Sequence, residues 1–222
     1  MIFRRITLML ILSFAACASF YAQKGWGIEG SAFLSSPYGN YIADLGVTHY
    51  WNFMKYGTIG MGAKFSYVNT SNLGEWYTDT ERYAFNDDEN FLVSLDGVTT
   101  IGCYIPVLKQ TGVFCDASVT FSLIPIDWID IKKYNHDNPI NYELHSISAF
   151  NHFSPKTFLG LGVYYDIKQD DAVSRLLLGY GYGYYDAFRG CRHATFDGQY
   201  LGDHIPRAKY IHRITLKFII FQ

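Results

Sequence analysis

The sequence predicts an all-β chain: an antiparallel up-and-down β-barrel that crosses a membrane on its strands. Three observations carry this. Apolar residues recur at every second position through at least eight segments. The positions between them hold mostly Gly, Ser, Thr and single charges, too small for a solvated surface. Tyr and Trp gather near the segment ends, as at a membrane interface. The composition agrees: 18% aromatic with 19 Tyr, and only 17% charged. The formal net charge of −2 and the lack of any basic stripe argue against nucleic acid as a partner.

The first segment alternates Trp26, Ile28, Gly30, Ala32 and Leu34 with Gly27, Glu29 and Ser31. After the turn "SPYGN", Tyr41, Ala43, Leu45 and Val47 continue the apolar phase, with Asp44, Gly46 and Thr48 between. Ile59, Met61, Ala63, Phe65 and Tyr67 then alternate with Gly60, Gly62, Lys64 and Ser66. The polar stretch 70–90 is too long for a hairpin turn. Phe91, Val93, Leu95 and Ile101 mark the fourth strand, opposite Ser94 and Asp96. The fifth sets Val113, Cys115, Ala117, Val119, Phe121 and Leu123 against Asp116, Ser118, Thr120 and Ser122. Residues 125–153 read either as a long loop with one strand or as two strands, 127–134 and 140–152, around "NHDNP".

Alternation returns at Leu159, Leu161, Val163, Tyr165 and Ile167, opposite Gly160, Gly162, Asp166 and Lys168. Next comes "LLLGYGYGYYD", with Leu176, Leu178, Tyr180, Tyr182 and Tyr184 on one face and Arg175, Gly179, Gly181 and Gly183 on the other. Glycine within a strand gives up side-chain packing. Three in alternate positions fit the inner wall of a narrow barrel, where long side chains from across the lumen need room. The last segment sets Ile214, Leu216, Phe218 and Ile220 against Arg213, Thr215 and Lys217. Both ends of such a barrel lie on one side of the membrane, so the strand number is even. Nine segments are visible, and splitting 125–153 in two gives ten, the favoured count; eight remains if two weak segments are loop. A soluble β-sandwich is the competing fold, disfavoured by the glycine-rich polar faces.

The N-terminus predicts an export signal over 1–22, leaving 23–222 as the barrel domain. Arg4 and Arg5 precede an apolar run from Ile6 to about Ala16, and Ala16-Cys17-Ala18 offers a cleavage site. "FAAC" also resembles a lipobox that would lipidate Cys17, with Phe14 where that motif prefers Leu.

With these segments in place, residues 24–222 resemble the small outer-membrane β-barrel proteins of Gram-negative bacteria. The resemblance implies an outer-membrane location, insertion by the barrel assembly machinery, and contact with outer-membrane lipid and lipopolysaccharide. Such proteins usually end on an aromatic residue that assists assembly; this chain ends Phe221-Gln222, with Phe221 off the apolar phase.

Candidate chemistry is sparse, and no enzyme, cofactor or metal site is expected. His152 and Ser154 in "NHFSP" resemble the His-x-Ser pair of barrel lipid A deacylases, but Pro155 and Lys156 follow and no orienting acid is evident. Asp203-His204, with Asp87 and Asp88 in another loop, resembles the acid–His arrangement of barrel proteases. Asp87, Asp88, Glu89 and Asn90 match no EF-hand spacing. Lys132, Lys133, Arg189 and Arg192 are candidates for lipopolysaccharide phosphates.

Two expectations are geometric. A hairpin centred near Lys109 sets Cys103 opposite Cys115, a candidate disulfide. Glu29, Asp44, Asp96, Asp116 and Asp166 share the inner face with Lys64, Lys168, Arg175, Arg213 and Lys217, a balanced set expected to pair within the lumen. Function is then expected to be non-enzymatic, an envelope-structural or loop-binding role with the ligand unnamed. A narrow pore or a lipid A enzyme is the alternative.

Overall fold

The computed structural model describes residues 24–33, 42–53, 55–69, 74–86, 91–135, 138–148, 155–169, 172–186, 189–205 and 210–221. Residues 1–22 with Cys17, the pair His152 and Ser154, and the acidic run Asp87, Asp88, Glu89 and Asn90 lie outside these residues.

Among the described residues thirteen strands follow in order: β1 (Lys24–Phe33), β2 (Ile42–Asn52), β3 (Gly57–Asn69), β4 (Glu75–Tyr77), β5 (Arg82–Phe85), β6 (Phe91–Pro106), β7 (Thr111–Asn135), β8 (Asn138–Ser148), β9 (Lys156–Gln169), β10 (Ala172–Tyr184), β11 (Thr195–Phe196), β12 (Gln199–Tyr200) and β13 (Ile211–Phe221). Eight of them, β1, β2, β3, β6, β7, β9, β10 and β13, form a closed antiparallel barrel. The ring is sealed by β1–β13 pairing, from Gly25↔Phe221 to Phe33↔Arg213, and by β7–β9 pairing, from Thr111↔Tyr165 to Thr120↔Lys156. Closure leaves no open edge in the wall, which hydrocarbon would not tolerate. The strand ends flanking the short turns, Asn52 and Gly57, Pro106 and Thr111, and Gln169 and Ala172, lie at one end with Lys24 and Phe221. Those flanking the longer connections, Phe33 and Ile42, Asn69 and Phe91, and Tyr184 and Ile211, lie at the other.

The barrel therefore has eight strands, the count the sequence left open, and not the favoured ten. Residues 127–134 are no separate strand but the continuation of β7. Of 140–152, residues 140–148 fall in β8 and 149–152 lie outside the described residues; β8 pairs, among the described residues, with β7 alone, from Trp128↔Ser148 to Asn135↔Asn138. The reason is length. At about 3.3 Å per residue the 25 residues of β7 span roughly 80 Å, well beyond the 14 residues of its wall neighbour β9. Its first half belongs to the wall, and its second half stands clear as the spine of a sheet ordered β4-β5-β7-β8.

A bulge separates the two halves. Leu95 pairs with Ile124 and Asp96 with Ser122, so Leu123 has no opposite residue. The extra residue reverses the alternation. Phe114, Asp116, Ser118 and Thr120 point inward before it, Leu123 and Ile124 both stay exposed, and Ile129 and Ile131 are buried beyond it.

Burial alternates along β1, β2 and β13, for example eBeBeBiBeB along β1 and BiBeBeBeBeB along β13 (B buried, i intermediate, e exposed). The buried residues are those of the polar and glycine phase, and the apolar phase faces out: Leu159 is 71% exposed and Leu161 67%. The glycines make room within the wall. Gly162 and Gly179 are paired in register, and a Cβ at either would fall 2.5 or 2.8 Å from the Phe114 ring. A Cβ at Gly160 would collide with an Asp116 carboxylate oxygen at 2.1 Å.

Candidate functional site

The interior is stacked in three layers. The central layer is ionic. Lys217 bridges two carboxylates, Asp116 at 2.6 Å and Glu29 at 3.2 Å. Lys64 pairs with Glu29 from the other side. Lys156 donates to Asp96 and to Ser66, each at 2.6 Å, and lies 3.7 Å from Asp44. Ser66 donates to Asp96 at 2.7 Å. Arg213 lies over the Phe158 ring at 4.4 Å and reaches Ser118 at 3.4 Å. Almost all of this is shut off from solvent, Arg213 and Lys64 at 2% exposure and Asp96 at 0%.

Alternation places these groups on the inner wall, and strand stagger brings them to one level. Charges so confined are costly unless paired, which explains acids and bases interleaved from different strands.

Towards the short turns the lumen is filled by Tyr50, Tyr104, Phe114, Tyr164, Leu177, Ile219 and Phe221. Arg175 crosses this layer. It makes a two-pronged contact with Asp166, at 2.6 and 2.8 Å, and lies 4.3 Å from the centre of Tyr164, 4.7 Å from Tyr104 and 5.4 Å from Phe221. A planar guanidinium suits this setting, forked to a carboxylate and flat against rings. The inward Phe221 that breaks the outer apolar phase thus packs into the short-turn plug.

At the opposite end the long connections form a packed lid. Phe33, Ile42, Val68 and Leu92 at the rim join Trp76, Tyr83, Phe85, Ile129, Ile131, Leu201 and Ile205 in one apolar cluster. Trp76 lies between Tyr83 and His204, at 5.3 and 4.8 Å between ring centres and within 14° of parallel, and its indole N–H donates to Gln199 at 2.9 Å. Above it Lys133 joins Asp197 at 2.6 Å and Glu81 at 2.9 Å, and the Tyr83 hydroxyl donates to Asp197 at 2.7 Å. β4, β5, the extension of β7 and the segment 197–204 are thereby locked together.

The Tyr83 and Lys133 contacts hold the Glu81 carboxyl below its usual range. Those of Lys133 and Tyr83 do the same for Asp197. Bonding to Asp197 raises the Lys133 ammonium. Both carboxyls have lowered pKa values in the folded lid, so their contribution is complete above the ordinary carboxylate range and is lost as pH falls below about 4. Protection against hydrogen exchange along 195–200, taken relative to the intrinsic amide rate at each pH, is expected to be high at neutral pH and to fall on acidification below that range, while protection in the barrel wall is kept.

Among the charged residues read from the sequence as luminal, Glu29, Asp44, Lys64, Asp96, Asp116, Arg213 and Lys217 are in the central layer, and Asp166 and Arg175 in the short-turn layer. Lys168 is not among them: it continues the inward phase of β9 but is exposed at the short-turn rim. Lys156 was missed. It opens β9 two residues before inward Phe158, so extending the alternation backwards would have found it. Asp197 was missed as well, although Asp197-Gly198, at φ 51° and 76°, is the Asp-Gly signal of a two-residue hairpin turn.

The other candidates are dispersed. His204 is stacked on Trp76, and Asp203 is exposed. Of the four basic residues offered for lipopolysaccharide, Lys133 is engaged in the lid and Arg192 is buried against Asp186. Lys132 lies 5.2 Å over Tyr142, and Arg189 is exposed. Among the described residues no three His, Cys, Asp or Glu side chains converge as metal ligands. Cys103 and Cys115 stand directly opposite in the β6–β7 register, with both thiols free. Mild oxidation of the folded protein is expected to join them within one chain, seen as a 103–115 crosslinked peptide that vanishes on reduction. Two unlinked thiols after oxidation would contradict this.

No protein-family model matches the sequence, and no curated protein matches it. Among solved structures, one match is the N-terminal β-barrel domain of Pseudomonas aeruginosa OprF. The alignment covers 89% of this chain and 98% of that one, at 10% identity and a TM-score of 0.32.

Proposed function

We propose that the protein is a non-enzymatic outer-membrane barrel whose sealed lumen serves as a rigid mount for the lid, in an envelope-structural or surface-binding role. The observation that carries the reading is the outer wall. Every strand of the ring presents apolar side chains outward, among them Ile28, Leu45, Met61, Ile101, Val119, Leu161, Leu178 and Leu216. Soluble monomers rarely expose contiguous apolar patches beyond a few hundred Å². A belt around a closed barrel is what lipid covers. Exposed Trp26 near the short turns, and Tyr67, Tyr182 and Tyr210 near the long connections, suit the two interfaces.

The three luminal layers support a mount over a pore, since an eight-stranded barrel has little space once side chains fill it. The outward face of the lid sheet supports surface contact. Tyr77, Tyr134 and Tyr142 line it, with Arg82 paired to Glu75 over the first two and Lys132 over the third, an aromatic surface suited to the sugars of lipopolysaccharide. Membrane fractionation with heat-dependent gel mobility tests the reading. The protein is expected in the outer-membrane fraction, with a folded band that shifts on boiling. Recovery as a water-soluble monomer with no shift would overturn it.

A further inference from the structure

We infer that a groove on the outer wall binds one phospholipid of the leaflet bordering the short turns, with Lys55 meeting its phosphate. This rests on the membrane reading above. The groove, about 1090 Å³, crosses β3, β6, β7, β9 and β10. Its volume matches the upper range of ordinary ligand pockets, ~1,000 Å³.

Two register rows build it. One runs through Gly57, Cys103, Cys115, Leu161 and Tyr180, each paired with the next. The other runs through Ile101, Ala117, Leu159 and Tyr182. At the centre the side chains are small: Cys103, Cys115 and Ala117 stand among the outward Ile101, Ile105, Val113, Val119, Leu159 and Leu161. The inward row between them contributes Gly102 and Gly160 to the lining. Large side chains flank this depression, Leu159, Leu161, Tyr180 and Tyr182 on one side, Phe53 and Tyr56 on the other. The groove thus follows from a size pattern on the lipid face.

Its direction selects the occupant. Gly57 is the first residue of β3, at the short-turn rim, whereas Leu161 and Tyr180 lie near the middles of β9 and β10. The groove therefore starts at one membrane interface and climbs the wall obliquely. Four strand spacings of about 4.8 Å give it a length of roughly 19 Å. Set obliquely, that is the depth of one leaflet of a ~30 Å hydrocarbon core. Such a path fits an acyl chain whose headgroup stays at the short-turn end.

The charge at that end fits a phosphate. Lys55 lines the mouth, exposed, with its ammonium 5.1 Å over the Tyr56 ring and no ion pair to any described residue. The one acid in the lining, Asp116, is turned inward and held by Lys217. The groove is therefore apolar along its length and cationic at its mouth.

Native mass spectrometry of the intact protein, extracted from membranes in mild detergent, tests this. One adduct with the mass of a phospholipid is expected, releasing a phosphate headgroup on fragmentation. Ala117→Phe, which fills the floor, is expected to cut the bound fraction about ten-fold. Lys55→Glu is expected to weaken retention several-fold. Ile28→Phe, on the lipid face of β1 outside the groove, is expected to leave it unchanged. Heat-dependent gel mobility confirms that each variant is folded. A folded wild-type protein carrying no phospholipid, or only detergent, overturns the inference, as does equal retention by Ala117→Phe. A lipopolysaccharide adduct overturns the leaflet. Absence of the protein from the membrane fraction overturns the membrane reading instead.

Discussion

Replacing Lys217 by methionine is expected to destabilise the folded barrel by about 3–5 kcal/mol, the usual cost of removing one partner from a buried charge pair. Lys217 is 3% exposed and touches both Glu29 and Asp116. Methionine keeps most of the volume, so the loss is electrostatic: Asp116 is left with no cation and Glu29 with Lys64 alone. The measurement is the urea midpoint of unfolding from vesicles, read by the heat-shifted gel band. Adding Asp116→Asn to Lys217→Met is expected to recover much of the loss, because the carboxylate that lost its cation goes with its partner while Glu29 keeps Lys64. A Lys217→Met barrel as stable as the wild type would mean that the central layer is hydrated and the pairing energetically idle.

Leu161→Arg is expected to have the next largest effect, about 2–4 kcal/mol against membrane insertion for a cation near the midplane of a barrel's lipid face. Leu161 is 67% exposed near the middle of β9. In a soluble protein the same change would add a solvated charge at little cost. The readout is the fraction of protein recovered folded in vesicles, with Lys168→Arg at the exposed rim as a control. Unimpaired, water-soluble folding of Leu161→Arg would favour the soluble alternative and remove the membrane from the account.

The wall was legible because a barrel strand obeys one rule from end to end. Glu29, Asp44, Lys64 and Lys217 could be assigned inward from their neighbours' alternation alone, and "GYGYGY" announced a wall thinned for the Phe114 and Arg213 side chains. The strand count failed where that rule is blind. Residues 127–134 alternate whether they line a lumen or cover a lid, so periodicity cannot tell a wall strand from an overhanging one. The bulge left a trace, the adjacent apolar pair Leu123-Ile124, which breaks alternation in the most regular strand of the chain. The lid was hidden for a different reason. Its defining contacts, Trp76 with His204 and Lys133 with Asp197, join residues far apart in sequence from irregular connections. Pairings of that kind follow from loop packing, which carries no period.

Conductance in planar lipid bilayers tests the sealed lumen most directly. An ionic layer lies between two apolar plugs, one around Tyr104, Phe114 and Phe221 and one around Trp76, Phe85 and Ile131. Purified, folded protein is expected to insert without steady current at neutral pH. A stable open channel, with a reproducible single-channel step, would contradict the filled lumen and make transport the function.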